Sequence, residues 1–94
     1  MVPLSDTTVL RQSEAVFATD VDGETVLMSV AANRYFGLDA IGSQIWAALA
    51  EPISVDALCA GMVAAYDGEP AQIHQDVRAL LEQLASYGLI EAAQ

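Results

Sequence analysis

Arg34-Tyr35-Phe36-Gly37-Leu38-Asp39-Ala40-Ile41-Gly42-Ser43-Gln44-Ile45-Trp46 is the stretch in which the hydrophobic period of the chain changes. Up to Leu38 the pattern has a period of two, with Phe36 and Leu38 pointing one way and Tyr35 the other, as in a strand. From Asp39 onward it is helical: Asp39 suits an N-cap, and Ile41, Ile45, Trp46 and Leu49 fall on one face. A strand that runs directly into a helix implies an α+β chain, with extended structure before this point and helices after it.

Upstream, Ala15-Val16-Phe17-Ala18-Thr19 reads as a strand that ends at a turn centred on Asp22-Gly23. Asp-Gly between apolar runs is a hairpin signal, because a two-residue primed turn needs positive φ at both positions. Glu24 to Val30 follows as a second strand, in which Val26, Met28 and Val30 share one face, and Ala31-Ala32-Asn33 connects it to Arg34-Tyr35-Phe36-Gly37-Leu38. The result is a three-stranded antiparallel meander. Downstream, Glu51-Pro52 ends the first helix. Ser54 caps a second, whose stripe is Val55, Leu58, Cys59, Met62, Val63 and Tyr66, and Asp67-Gly68 stops it. Pro70 opens a third helix with Ile73, Val77, Leu80, Leu81 and Leu84 on its apolar face and Gly88 as its C-terminal stop. Leu89-Ile90 is expected to fold back on the core. Such short elements cannot bury their apolar faces separately, so meander and helices must pack as a single unit over residues 14–91, preceded by an extended segment, 1–13.

Composition narrows the function. At 94 residues the chain has room for one domain, and 54% hydrophobic residues are enough to offset its ordering entropy. Thirteen acidic residues against Arg11, Arg34 and Arg78 as the whole basic inventory give a net charge of -10. Three arginines cannot neutralise many phosphates, so neither nucleic acid nor an anionic membrane surface is expected as a partner. Met1 to Asp6 lacks the charged and apolar regions of a secretory signal, no stretch is long enough to span a bilayer, and the single cysteine cannot form an internal disulfide. The expected location is the cytoplasm.

Catalytic constellations are missing from the pattern. Cys59 lies in an apolar helical stretch and reads as core, while His74 stands alone between polar neighbours on the third helix. Asp20, Asp22 and Glu24 bracket a turn without the other ligands of a calcium loop. No phosphate-binding glycine motif occurs. No catalytic residue, metal site or cofactor is therefore assigned, and interaction chemistry is what remains. The third strand, Arg34 to Leu38, lies at a sheet edge that can accept an extended peptide through main-chain hydrogen bonds. Its shortness, Gly37 and Arg34 also suit a simply blunted edge, and these two readings stay open on the residues alone. On a helical wheel the third helix offers two flanks, one with Leu81, His74, Ala85 and Arg78, the other with Asp76, Gln83 and Tyr87. The sequence does not decide which of them faces the edge.

Several segments, taken in order, resemble the family of the pyrroloquinoline-quinone biosynthesis protein D, the peptide recognition elements of ribosomally made, modified peptides. They are Val26-Leu27-Met28, Asn33-Arg34-Tyr35-Phe36-Gly37-Leu38-Asp39 with Gly42, Ile45 and Trp46, Ser54-Val55-Asp56-Ala57-Leu58, and Asp76-Val77 with Leu81, Leu84 and Gly88-Leu89-Ile90. The stretch from Arg34 to Trp46 looks most like the stand-alone subunit of lasso-peptide pathways. Ala31-Ala32-Asn33-Arg34 departs from the Pro-Glu-Arg-like element of the quinone branch. The resemblance implies a winged helix-turn-helix-like domain without catalytic activity or cofactor. It implies further that this domain binds a precursor leader peptide as an added antiparallel strand between the third strand and the third helix. The peptide would then be presented to a leader peptidase of the cysteine-protease class and to an ATP-dependent macrolactam cyclase. On that reading the contact residues are Arg34, Tyr35, Phe36, Gly37 and Leu38 on the strand, and Asp76, Val77, Arg78, Leu80 and Leu81 on the helix. The alternatives are the same role in another modified-peptide or quinone pathway, or an acidic winged-helix regulator.

Overall fold

The computed structural model describes residues 4–93; Met1 to Pro3, the start of the segment read as 1–13, lie outside the described residues. Chain order is β1 (Val9–Gln12), β2 (Val16–Val21), β3 (Glu24–Ser29), β4 (Arg34–Leu38), α1 (Ala40–Ala48), β5 (Ile53–Ser54), α2 (Val55–Ala65), α3 (Pro70–Ser86) and β6 (Ile90–Ala92). The meander is antiparallel in the order β2-β3-β4, and three helices follow it, as the sequence implies.

The local signals act where they stand. Asp22 and Gly23 take φ of 53° and 84°, the paired positive values of a primed two-residue turn, and Val21 pairs with Glu24 across it. Asp39 and Ser54 cap α1 and α2, their side chains accepting from the amides of Gly42 at 2.8 Å and Ala57 at 3.1 Å. Gly88, at φ 73°, ends α3 in a Schellman motif: the Leu89 amide donates to the Leu84 carbonyl and that of Gly88 to Ala85.

A second sheet, ordered β5-β1-β6, is absent from the sequence reading. Strand β1 carries one core residue, Leu10, and its partners come from positions far along the chain, so no local pattern announces it. Leu89 and Ile90 do fold back on the core, and Ile90 does so by pairing with Gln12. Gln12 also anchors the end of α1: its side-chain amide donates to the Trp46 carbonyl at 2.7 Å and its backbone amide to that of Leu49 at 3.1 Å. Gln12 thus supplies donors to the last turn of α1, where intrahelical donors run short.

The core lies between the inner face of the meander and the helices and contains Leu10, Leu27, Ile45, Leu49, Leu58, Leu81, Leu84 and Leu89. Cys59 is buried in it, which pushes its thiol pKa up and keeps it protonated. The face shared by Val26, Met28 and Val30 is the outer one, and the core takes Thr25, Leu27 and Ser29 from β3. The outer face carries apolar side chains as well, with Phe17 opposite Met28 and Met28 opposite Tyr35, so periodicity alone could not tell inside from outside. Ile41 leaves the α1 core stripe and is 48% exposed. Among the described residues, no helix is long and apolar enough to cross a membrane.

Leu27, fully enclosed, carries the sheet's hold on the helices, whereas Val30 is exposed. Leu27→Ala should lower the free energy of urea unfolding by about 2 to 4 kcal/mol, and Val30→Ser by less than about 0.5 kcal/mol. Equal losses would place the core on the wrong face of β3.

Candidate functional site

Strand β4 has a neighbour on one side only, and the register defines what the other side offers. Val21 and Glu24 close the two-residue turn, so they form a hydrogen-bonded pair, and bonding alternates along β3 from there. Glu24, Val26 and Met28 turn their amides and carbonyls toward β2, while Thr25, Leu27 and Ser29 turn theirs toward β4. Their partners Leu38, Phe36 and Arg34 are thereby engaged, and the main-chain groups of Tyr35 and Gly37 point outward. At the Leu38 end a side chain completes the ladder. The Thr25 amide donates to Ser43 Oγ at 2.8 Å, and Ser43 Oγ–H donates to the Leu38 carbonyl at 3.3 Å.

Beside this edge a groove of about 480 Å³ opens between β4, the start of α1, the end of α2 and α3. Its apolar lining comes from Leu38, Ile41, Ile45, Met62, Ile73, Val77 and Leu80, and its polar lining includes Asp39, Asp67 and Asp76. Ile41, displaced from the core, finds its place here. Gly68, at φ 154°, lets the chain between α2 and α3 turn against Ile73 on the groove wall. Toward the other end of β4 the rings of Phe36 and Tyr87 meet with centroids 4.8 Å apart. The Arg34 guanidinium lies over both, 5.1 Å from the Phe36 centroid and 5.4 Å from that of Tyr87.

The structure therefore decides which flank of α3 faces the edge: it is the one with Asp76 and Tyr87. Of the residues singled out from the sequence, Gly37, Leu38, Asp76, Val77 and Leu80 line the groove, while Arg34 and Phe36 lie outside its lining, stacked with Tyr87 farther back along β4. Tyr35 stands on the outer face of the sheet, 73% exposed. Leu81 is enclosed in the core. Arg78 faces the opposite way, donating to Asp6 Oδ1 at 2.9 Å and to the Leu4 carbonyl, and His74 Nε2 lies 3.7 Å from the same carboxylate. Ile41, Met62, Tyr66 and Asp67 line the groove without having been singled out as contacts. Three of them belong to apolar stripes that read as core, and a stripe does not distinguish a groove wall from an interior.

A family model described as Coenzyme PQQ synthesis protein D (PqqD) matches residues 24–90, more than half of the chain. The solved structure of TbiB1 in complex with the TbiA(beta) leader peptide is 33% identical, with a TM-score of 0.80 over 89% of this chain and 98% of that one. A lasso peptide synthetase B1 complexed with its leader peptide is 20% identical, with a TM-score of 0.76 over 87% of this chain and 96% of that one. The PqqD truncation of Methylobacterium extorquens PqqCD, described as a stand-alone RiPP recognition element, is 23% identical, with a TM-score of 0.76 over 94% of each chain. The last two show a shared fold. No curated protein matches the chain.

Arg78 ties residues 4 and 6 down, and the Asp6 carbonyl in turn accepts from the Asp56 amide at 2.9 Å. Arg78→Ala should cost about 1 kcal/mol and speed hydrogen exchange at Asp56, with the amides of β4 unaffected. Faster exchange along β4 would show that Arg78 supports the groove instead.

Proposed function

The chain belongs to the PqqD family, and from that premise we propose that it binds the leader segment of a ribosomally made precursor peptide as a strand added to β4. One observation carries the reading: the outward amides and carbonyls of Tyr35 and Gly37 lie beside an apolar groove walled by α3. An extended peptide there gains main-chain hydrogen bonds from the edge and side-chain pockets from the groove.

The direct contacts are the main chain of Tyr35 and Gly37, the side chains of Phe36 and Leu38, and Asp76, Val77 and Leu80 across the groove. Arg78 and Leu81 act through the fold. The module is non-catalytic. Cys59 is enclosed with its thiol pKa raised, and His74 sits on the far flank of α3. Its contribution is proximity, since a held leader raises the local concentration of the attached precursor at a modifying enzyme. The similarity to TbiB1, described in complex with a leader peptide, supports leader binding, and the fold shared with a lasso peptide synthetase B1 suits lasso-peptide maturation as the setting, with a leader peptidase and an ATP-dependent cyclase as recipients in the cytoplasm.

The test is titration of the labelled protein with the leader of the precursor encoded beside it, followed by amide chemical shifts. Shifts should concentrate on Arg34–Leu38 and on Asp76, Val77 and Leu80. Affinity should fall only modestly between low and moderate salt, and duplex DNA should not bind. Shifts concentrated on Val16–Val21, or tight and steeply salt-dependent duplex binding, would contradict the proposal.

A further inference from the structure

Charge differs along the edge of β4. Asp39, Asp67 and Asp76 belong to the lining of the groove beside Leu38, and beyond that lining, at the start of β4, Arg34 lies over Phe36 and Tyr87. The two walls match in length, since the spans from Arg34 to Asp39 along the strand and from Asp76 to Tyr87 along the helix are each about 16 Å. Among the described residues, none of the three carboxylates and not Arg34 takes part in a salt bridge. Two of the carboxylates are held in place: Asp39 Oδ1 accepts from the Gly42 amide and Asp76 Oδ1 from the Gln72 side chain at 2.9 Å. Unpaired carboxylates in the groove beside Leu38 and a cation at the start of β4 give the edge a direction.

Resting on the strand-addition reading, we propose that the groove selects peptides by the order of their charges, with a Lys or Arg before the apolar anchors and an Asp or Glu after them. Antiparallel pairing, the more stable arrangement per residue, sets the order. A peptide antiparallel to β4 enters at Leu38 and leaves at Arg34. Directly opposed residues point to the same face, so the peptide residues opposite Leu38 and Phe36 turn into the groove as anchors, two positions apart. The residue opposite Arg34, about four positions after the first anchor, turns the same way and meets the guanidinium with a carboxylate. A cation one or two positions before the first anchor falls beside Asp39 and Asp76. A peptide with the opposite charge order meets like charge at both ends, which is how rim charges reject wrong partners.

The experiment uses two capped peptides of identical composition, each a Thr/Ser framework with a Tyr and a Leu two positions apart. One has Lys before and Glu after this pair, and in the other Lys and Glu are exchanged. Both are titrated into the labelled full chain, with amide shifts giving location and affinity. The Lys-first peptide should bind about tenfold more tightly at low ionic strength, the difference shrinking to about twofold in molar salt. Arg34→Gln and Asp76→Asn should each reduce the preference about threefold. Equal affinities with shifts along β4 would overturn the charge order and leave strand addition standing. The absence of shifts along β4 with either peptide would overturn both.

Discussion

The hydroxyl of Ser43 joins the sheet to the helices. Accepting from Thr25 and donating to Leu38, it stands in the ladder where β3 and β4 would otherwise bond directly, and it comes from the first turn of α1. With Asp39 capping the same helix, it ends β4 and turns the chain sharply away. The helix therefore starts beside the strand's edge without covering it. Had α1 continued in line or folded over β4, the main-chain groups of Tyr35 and Gly37 would be hidden and no groove would form. The remaining helices complete that arrangement by placing Val77 and Leu80 opposite Leu38.

An open edge is ordinarily a liability, because it invites pairing with any extended chain. Here the hazard is limited on both sides of the strand. The edge is only as long as β4, and the meeting of Phe36 with Tyr87 narrows the space at the Arg34 end. The chain's acidity adds a second limit, since copies of a molecule carrying a net charge of -10 repel one another. A short edge, an apolar trough and fixed rim charges together suit one kind of ligand, an extended peptide of defined pattern.

Much of this was legible because its determinants are local. Asp22-Gly23, Asp39, Ser54 and Gly88 each fix a turn or cap within a few residues of themselves, and the switch of period at Leu38 announced the change from strand to helix. The second sheet was not legible, since β1 exists only because Ile53, Ser54 and Ile90 arrive from the far end of the chain. The same distance hid the role of Arg78, whose partner Asp6 is 72 residues away. Helical periodicity marked Ile41, Met62 and Tyr66 as apolar-facing. Whether that face is core or groove wall depends on where α3 docks, which is a tertiary fact.

The central claim is that β4 presents the main chain of Tyr35 and Gly37 to a peptide strand, and scalar couplings through hydrogen bonds test it most directly. With nitrogen-15 in the protein and carbon-13 in the bound leader peptide, couplings should link the amides of Tyr35 and Gly37 to two peptide carbonyls. The carbonyl bonded by Gly37 should lie two residues nearer the peptide's N-terminus than the one bonded by Tyr35, as antiparallel pairing requires. Couplings to amides of β2 instead, or a saturated complex in which the amides of Tyr35 and Gly37 still exchange freely with water, would contradict it.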